Sequence, residues 1–387
     1  MGERTFLEFF AGGGMARAGL GAGWRCLFAN DFDSAKADAY AAAWGAGGAR
    51  PPELRVGDVN ELRVADLPRE RADLAWASFP CQDLSLAGPG AGLAGERSGS
   101  FLPFYFLMTA LRNAGRAPRT IVLENVCGLL TSHRGRDFAD ICAMLGKIGY
   151  RFGALVMDAA EFLPQSRPRL FILAVDRALP VVGAAEPGER WHPARLREAQ
   201  AALNPTVRRD WLWFDPPGPP TRNSRLVELI EDEPTSVRWH APDDTARLLG
   251  MMSEVNRAKV EAARAKPGRS VGTVYKRTRV EGGVKAQRAE VRFDDVAGCL
   301  RTPGGGSSRQ IIIVVEDGAV RTRLISARET ARLMGLPDEY PLPARYNDAY
   351  HLTGDGVAVP VVRHIAEHVL EPVLDGAGAK RGLARAA

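Results

Sequence analysis

The stretch TFLEFFAGGGMARAG (Thr5–Gly19) decides how the rest of the chain is read. Thr5–Phe10 is a short apolar run of the kind that forms a buried strand, and the glycines that follow close that strand and open a helix. Glycine lets the backbone come close to a ligand, with the helix N-terminus behind it. The dinucleotide fingerprint GxGxxG/A nevertheless fails, because Arg17 stands at the third small position after Gly12 and Gly14. About twenty residues on, a second run, Arg25–Asn30, ends in Asn30-Asp31, and an acid there is where a nucleotide-binding sheet meets ribose hydroxyls. GDVNEL (Gly57–Leu62) adds Asp58 after what could be a third short strand. Together these features point to a nucleoside cofactor other than NAD.

Further runs continue the pattern at Leu74–Phe79, Thr120–Glu124, Phe152–Met157 and Leu170–Val175. Helix-like stretches lie between them at Ser34–Trp44, Phe104–Ala114 and Arg136–Ile148. Such alternation predicts an α/β fold with a parallel doubly wound sheet whose ligands collect at the C-terminal strand ends. From about Leu179 the alternation stops and prolines and tryptophans crowd in. This places a first catalytic and cofactor-binding part at 1–179 and a smaller, irregular domain at 180–318. Regular patterning returns over 319–373, and 374–387 read as frayed. Trp191, Trp211, Trp213 and Trp239 are expected to fill the thin core of the smaller domain.

The chain has 387 residues, 45% apolar and 25% charged, as in ordinary soluble proteins. No apolar run is long enough for a membrane span, and the N-terminus lacks a basic segment followed by an apolar one. Five widely spaced cysteines with no CxxC pair argue against a disulfide framework or a metal site and for a reducing, cytoplasmic setting. The net charge is +5, but thirteen Lys/Arg against five Asp/Glu lie between Arg257 and Arg309. That concentration suggests a surface facing a polyanion.

Chemistry gathers at the strand ends. Pro80-Cys81 closes one strand, and Glu124-Asn125 closes another at the same sheet edge. No histidine sits in such a motif, so a Cys-His protease is poorly supported. A thiolate and an acid instead suit an electron-poor heteroaromatic ring, with the thiolate adding to carbon while the acid donates to ring nitrogen. Arg167 and Arg169, two residues apart on an extended chain, are expected to share one face and hold a carbonyl oxygen, a phosphate or both.

These residues resemble the motifs of the DNA (cytosine-5) methyltransferases that depend on S-adenosylmethionine, and they do so in the family's order. Phe10-Ala11-Gly12-Gly13-Gly14 resembles the cofactor loop, Asn30-Asp31 the ribose-binding acid and Asp58 the adenine contact. Pro80-Cys81-Gln82 resembles the nucleophile motif, Glu124-Asn125-Val126 the ENV motif and Gln165-x-Arg167-x-Arg169 the QxRxR motif. Arg323–Tyr340 and Thr353–Val369 resemble the last two motifs. The resemblance implies a Rossmann-like class I methyltransferase sheet with a separate target-recognition domain. It implies cofactor contacts from Phe10, Ala11, Gly12, Gly14, Asp31, Phe32, Asp58, Val59, Pro80, Asp355 and Val357, and no metal.

The same resemblance implies a mechanism on a flipped-out cytosine in double-stranded DNA. Cys81 adds to C6, Glu124 sits protonated at N3, and Arg169 holds O2 with Arg167 in support. C5 then takes the methyl group, and proton loss expels Cys81. The glycine-rich run after Cys81 would be a lid bringing Gln82 and Ser85 to the DNA, and Arg301 and Arg309 flank a glycine loop expected to reach phosphate or base. A monomer is expected, with a cognate restriction endonuclease acting separately where one exists. Gly354-Asp355 departs from the family's Gly-Asn, which leaves open transfer of a different alkyl group. Methylation of tRNA cytosine stays open too, as does a non-catalytic DNA-binding homologue.

Overall fold

A computed structural model describes residues 3–80, 101–281, 283–301 and 309–376. Contacts divide the chain into two compact units, residues 1–157, 168–219 and 359–387 in one and 158–167 with 220–358 in the other.

The first unit is built on seven strands: β1 (Arg4–Phe9), β2 (Trp24–Asp31), β3 (Leu54–Val56), β4 (Leu74–Ala77), β5 (Thr120–Val126), β6 (Tyr150–Asp158) and β7 (Pro168–Asp176). They lie in the order β3-β2-β1-β4-β5-β7-β6. Neighbouring strands from β3 to β5 are parallel, so these five strands end at one edge. β7 runs against the parallel pattern expected of the sheet, because it pairs antiparallel with β5, Glu124 opposite Phe171 and Val126 opposite Arg169. Only residues 159–167 lie between β6 and β7. A crossover that would return β7 parallel to β6 needs a dozen or more.

Helices α1 (Met15–Leu20), α2 (Ser34–Trp44), α3 (Phe101–Asn113) and α4 (Arg136–Lys147) alternate with the strands. α2 starts where the Asp33 carboxylate accepts the Ala35 and Lys36 N–H groups, satisfying donors that a helix leaves open. In α3 the buried residues Phe101, Phe104, Leu107, Met108 and Leu111 fall on one face. That face meets Phe9 of β1, whose ring stands edge-on to Phe104 at 5.2 Å.

The expected place of three tryptophans is corrected. Trp191, Trp211 and Trp213 belong to the first unit, where Trp211 packs against Phe138 and Phe152 and Trp213 against Trp211. The backbone explains it: Phe152 N–H donates to Asp210 O, and Leu212 N–H to Phe152 O. The chain after β7 thus covers the outer edge of β6, and the tryptophans bury that edge. Of the four, Trp239 lies in the second unit, with the guanidinium groups of Arg321 and Arg323 over its ring at 4.5 and 4.9 Å.

The second unit carries four antiparallel strands, β8 (Arg269–Glu281), β9 (Val284–Arg292), β10 (Ile311–Glu316) and β11 (Ala319–Leu324), in the order β11-β10-β8-β9. Leu248, Met252, Val260 and Ala263 pack on Val274, Ala289, Val291 and, from β10, Ile311, Ile313 and Val315. β10 pairs with β8 only between Arg269 and Val274, whereas the β8–β9 ladder runs on to Glu281↔Val284. The helices Ala327–Arg332 and Tyr346–Asp355, expected in the catalytic part, also belong here. A fully buried ion pair, Arg323–Glu329, fixes the first of them, with a capping box formed by Ser326 and Glu329.

Candidate active site

β1 and β2 deliver the first group of candidate residues. Phe10 leaves β1 at φ 57°, and Gly12 and Gly14 follow at φ 57° and 78°. At Gly12 an added Cβ would meet nothing within 4 Å. At Gly14 it would stand 2.3 Å from Trp44 Nε1, so Gly14 serves the packing of α2 and Gly12 leaves open space. Asp31, at the end of β2, is buried and accepts the N–H of Gly12 at 2.7 Å and of Asp33 at 2.8 Å. Burial raises its carboxyl above the usual range, against those two hydrogen bonds. The Asn30 amide donates to Arg55 O and Gly57 O, tying the end of β2 to the turn that carries Asp58. Asp58 in turn caps the turn at Val59–Glu61 by accepting from Asn60. The Phe32 ring is 76% exposed, which core packing does not explain.

Arg17, which breaks the dinucleotide fingerprint, has its own partners. It pairs with Glu53 at 2.7 Å, donates to Tyr40 Oη at 2.8 Å and stacks on Trp44 at 4.6 Å. Close by, Glu8 is a carboxylate near the end of β1 that sequence reasoning missed. Its only signal was one charge inside an apolar strand. It is 1% exposed, its Oε2 has no hydrogen-bond partner, and burial pushes its carboxyl up to about 8, with the Arg17 cation opposing.

β5 and β7 deliver the second group. Glu124 and Arg169 lie diagonally across the antiparallel pair, on one face, and Arg169 Nε reaches Glu124 Oε1 at 3.1 Å. Both are largely buried, at 8% and 15% side-chain exposure. The neighbouring Asn125 faces the other way, where its amide donates to Phe79 O at 3.0 Å. Asn125 therefore anchors the segment that ends in Pro80. Cys81, Gln82, Ser85 and the glycine-rich run of the expected lid lie outside the described residues.

The expected pairing of Arg167 with Arg169 on one face is corrected. Arg167 precedes β7, belongs to the second unit and is 2% exposed. Its guanidinium donates to the carbonyls of Leu300, Gly354 and Gly356, which ties two chain segments together. Gln165 does similar work, donating to Leu333 O and accepting from Leu300 N–H. Asp355, exposed, and Val357, buried, lie in the same unit. Arg301 is exposed. Arg309 donates to Asn347 Oδ1 and lies over the Tyr346 ring. The glycine loop between them, 302–308, lies outside the described residues. No group of residues fit to hold a metal occurs among the described residues, and no helix there is long and apolar enough to cross a membrane.

Comparison with known proteins places this geometry. The chain is 27% identical over 372 residues to the Type II methyltransferase M.BsuFI of Bacillus subtilis, covering 96% of this chain and 73% of that protein. It is 26% identical to M.NlaX of Neisseria lactamica, over 94% and 95% of the two chains. Among solved structures, Entamoeba histolytica methyltransferase EhMeth superposes with a TM-score of 0.63 at 14% identity, covering 96% of this chain and 99% of that one. S. pombe Dnmt2 methyltransferase gives 0.58 at 16%, covering 95% and 99%. The family model described as C-5 cytosine-specific DNA methylase matches residues 4–371, and the chain belongs to that family.

Proposed function

We propose that this protein methylates C5 of a flipped-out cytosine in double-stranded DNA, with S-adenosylmethionine as donor and Cys81 as nucleophile. The observation that carries the reading is the Glu124–Arg169 pair, beside an asparagine that anchors the residues leading to Cys81. The cofactor fits the first group of residues. Gly12 leaves room for a ligand, Phe32 offers an exposed ring for adenine, and Asp31 and Asp58 stand where ribose and base edge would need acceptors. When bound, S-adenosylmethionine supplies an electrophilic sulfonium methyl group.

The protein's own residues must make C5 nucleophilic. Thiols have a free pKa of roughly 8.5, so a cation beside the sulfur would help the thiolate to form. Addition of Cys81 Sγ to C6 pushes electrons toward C5 and O2. A proton that Glu124 takes up from solvent passes to N3 as the thiolate adds, and Arg169 donates to O2, which spreads the developing charge. Once C5 carries the methyl group, loss of the C5 proton to solvent and return of the N3 proton to Glu124 expel the Cys81 thiolate and restore the aromatic ring. The Arg169–Glu124 bond holds both groups at one geometry before substrate arrives. Arg167 is proposed to act as a positioning residue within the second unit, through the carbonyls of Leu300, Gly354 and Gly356. Arg301, Arg309, Gln82 and Ser85 are proposed to contact the DNA. A cytoplasmic monomer acting beside a separate endonuclease completes the reading.

The test is a covalent trap. Full-length protein is incubated with labelled S-adenosylmethionine and duplexes containing 5-fluorocytosine, with transfer RNA in a parallel arm. A stable protein–DNA adduct that disappears in Cys81→Ser is expected. No adduct, or one only with RNA, overturns the proposal.

A further inference from the structure

We propose that Glu8, ionised beneath the turn between β1 and α1, makes the cofactor site prefer the sulfonium of S-adenosylmethionine to the neutral thioether of the spent product, S-adenosylhomocysteine. The inference rests on the cofactor reading proposed above and adds a residue that selects donor over product. Glu8 pairs with Ala29 of β2 on one side and Trp76 of β4 on the other, so it stands in the interior of the sheet. Asp31 lies two residues beyond Ala29, and strand alternation puts its side chain on the Glu8 face. Two residues span roughly 7 Å at about 3.3 Å per residue, so a charge on Glu8 sits just below the edge where Gly12 and Asp31 meet. The sulfonium sulfur is bonded to the ribose that Asp31 is proposed to hold at that edge. Donor and product share adenine, ribose, ammonium and carboxylate. They differ by one methyl group and one positive charge.

The surroundings of Glu8 leave its charge available. Its buried Oε2 has no hydrogen-bond partner among the described residues, a costly state for a carboxylate that packing alone does not require. Arg17, the cation of this cluster, is committed elsewhere, to Glu53, to the Tyr40 hydroxyl and to the Trp44 ring. Burial pushes the Glu8 carboxyl up to about 8, against the Arg17 cation and the N–H groups of Arg17 and Ala16 at the start of α1, while Asp31 adds to the rise. Cys26 of β2 and Tyr40 of α2 are the other titratable groups that face it. Burial pushes the Cys26 thiol up to about 12 and raises the Tyr40 hydroxyl, with Glu8 adding to both, so neither becomes charged near neutral pH. A cation at the strand edge favours the Glu8 anion and draws its carboxyl back down. The donor therefore binds the ionised form more tightly and releases part of a proton, whereas the thioether does not. The preference for donor is absent well below the raised value and complete above it.

Calorimetric titration of the full-length protein with each molecule, at about pH 6.5 and about pH 9, tests this. In the wild type, affinity for the donor divided by affinity for the product is expected to rise about fivefold or more between the two conditions. Glu8→Gln keeps the shape and cannot ionise, so its ratio should stay at the wild-type value of the lower pH. The ligands' ammonium groups, Asp31 and Glu53 are present in both proteins, so their titration cancels in the comparison. A thermal midpoint no lower than the wild type's shows that the variant folds, and the wild-type ratio alone can refute the inference if it does not. A wild-type ratio that does not change with pH overturns the inference, and so does an equal rise in Glu8→Gln. Either result leaves the cofactor reading standing. Wild-type protein that binds neither molecule overturns the inference and the cofactor reading together.

Discussion

Glu8 shows how much one side chain in a strand can set. Its carboxyl, ordinarily at 4.5, is pushed up to about 8 by burial, so folding takes up a proton between those values. Its contribution to stability is fully present below the lower value and is lost as pH rises through the upper one. Glu8→Gln cannot ionise. Its thermal midpoint is expected to match the wild type near the lower value and to exceed it increasingly as pH approaches about 8. Melts across that range check this, and a difference that does not vary with pH would count against it. Asn125 is the second such residue. Asn125→Ala strips the Phe79 carbonyl of a buried donor, at a cost of about 1–3 kcal/mol, and loosens the chain just ahead of Cys81. Methyl transfer is expected to fall further than DNA binding, measured as kcat against KM. At this scale the sequence was partly legible. Glu124 and Arg169 could be matched by motif, but Arg167 could not be told from a ligand-binding arginine, because spacing along a chain does not say where a strand begins.

The glycine turn between β1 and α1 separates two roles that look identical in sequence. Gly14→Ala must fit a methyl group 2.3 Å from an indole nitrogen at φ 78°, and overpacking of that kind costs about 1–3 kcal/mol. Gly12→Ala meets only open space and bears mainly the backbone strain of φ 57°, about 1–2 kcal/mol. The first variant is expected to lower the thermal midpoint with little change in affinity per folded molecule. The second is expected to fold and to bind S-adenosylmethionine more weakly. Calorimetric titration beside thermal unfolding separates them, and equal behaviour in both would contradict this division. The elements themselves were well marked by apolar alternation: α2 lies where expected, and the six strands read from the apolar runs recur with ends shifted by a residue or two. The direction of β7 was not marked, because the pattern of a buried strand is the same whichever way it runs.

For the molecule as a whole, the basic stretch between Arg257 and Arg309 predicts a steep response to salt. With six or more phosphate contacts, DNA affinity falls by about a thousandfold between roughly 50 and 200 mM salt. Fluorescence anisotropy with a labelled duplex measures it, and a flat response would remove the polyanion reading of this surface. Domain organisation was the least legible level. A change in composition near Leu179 marked where strand alternation ends, but the tryptophans beyond it cover the edge of β6. Composition records what a segment is made of, and not which surface it covers. The length of the β8–β9 ribbon beyond its pairing with β10 bears on which positions can change. Because β8 and β9 run past β10, substitutions near their tip touch neither hydrophobic core. Substitutions there should therefore cost little folding stability, so this length of chain is free to vary where the packed strands are not.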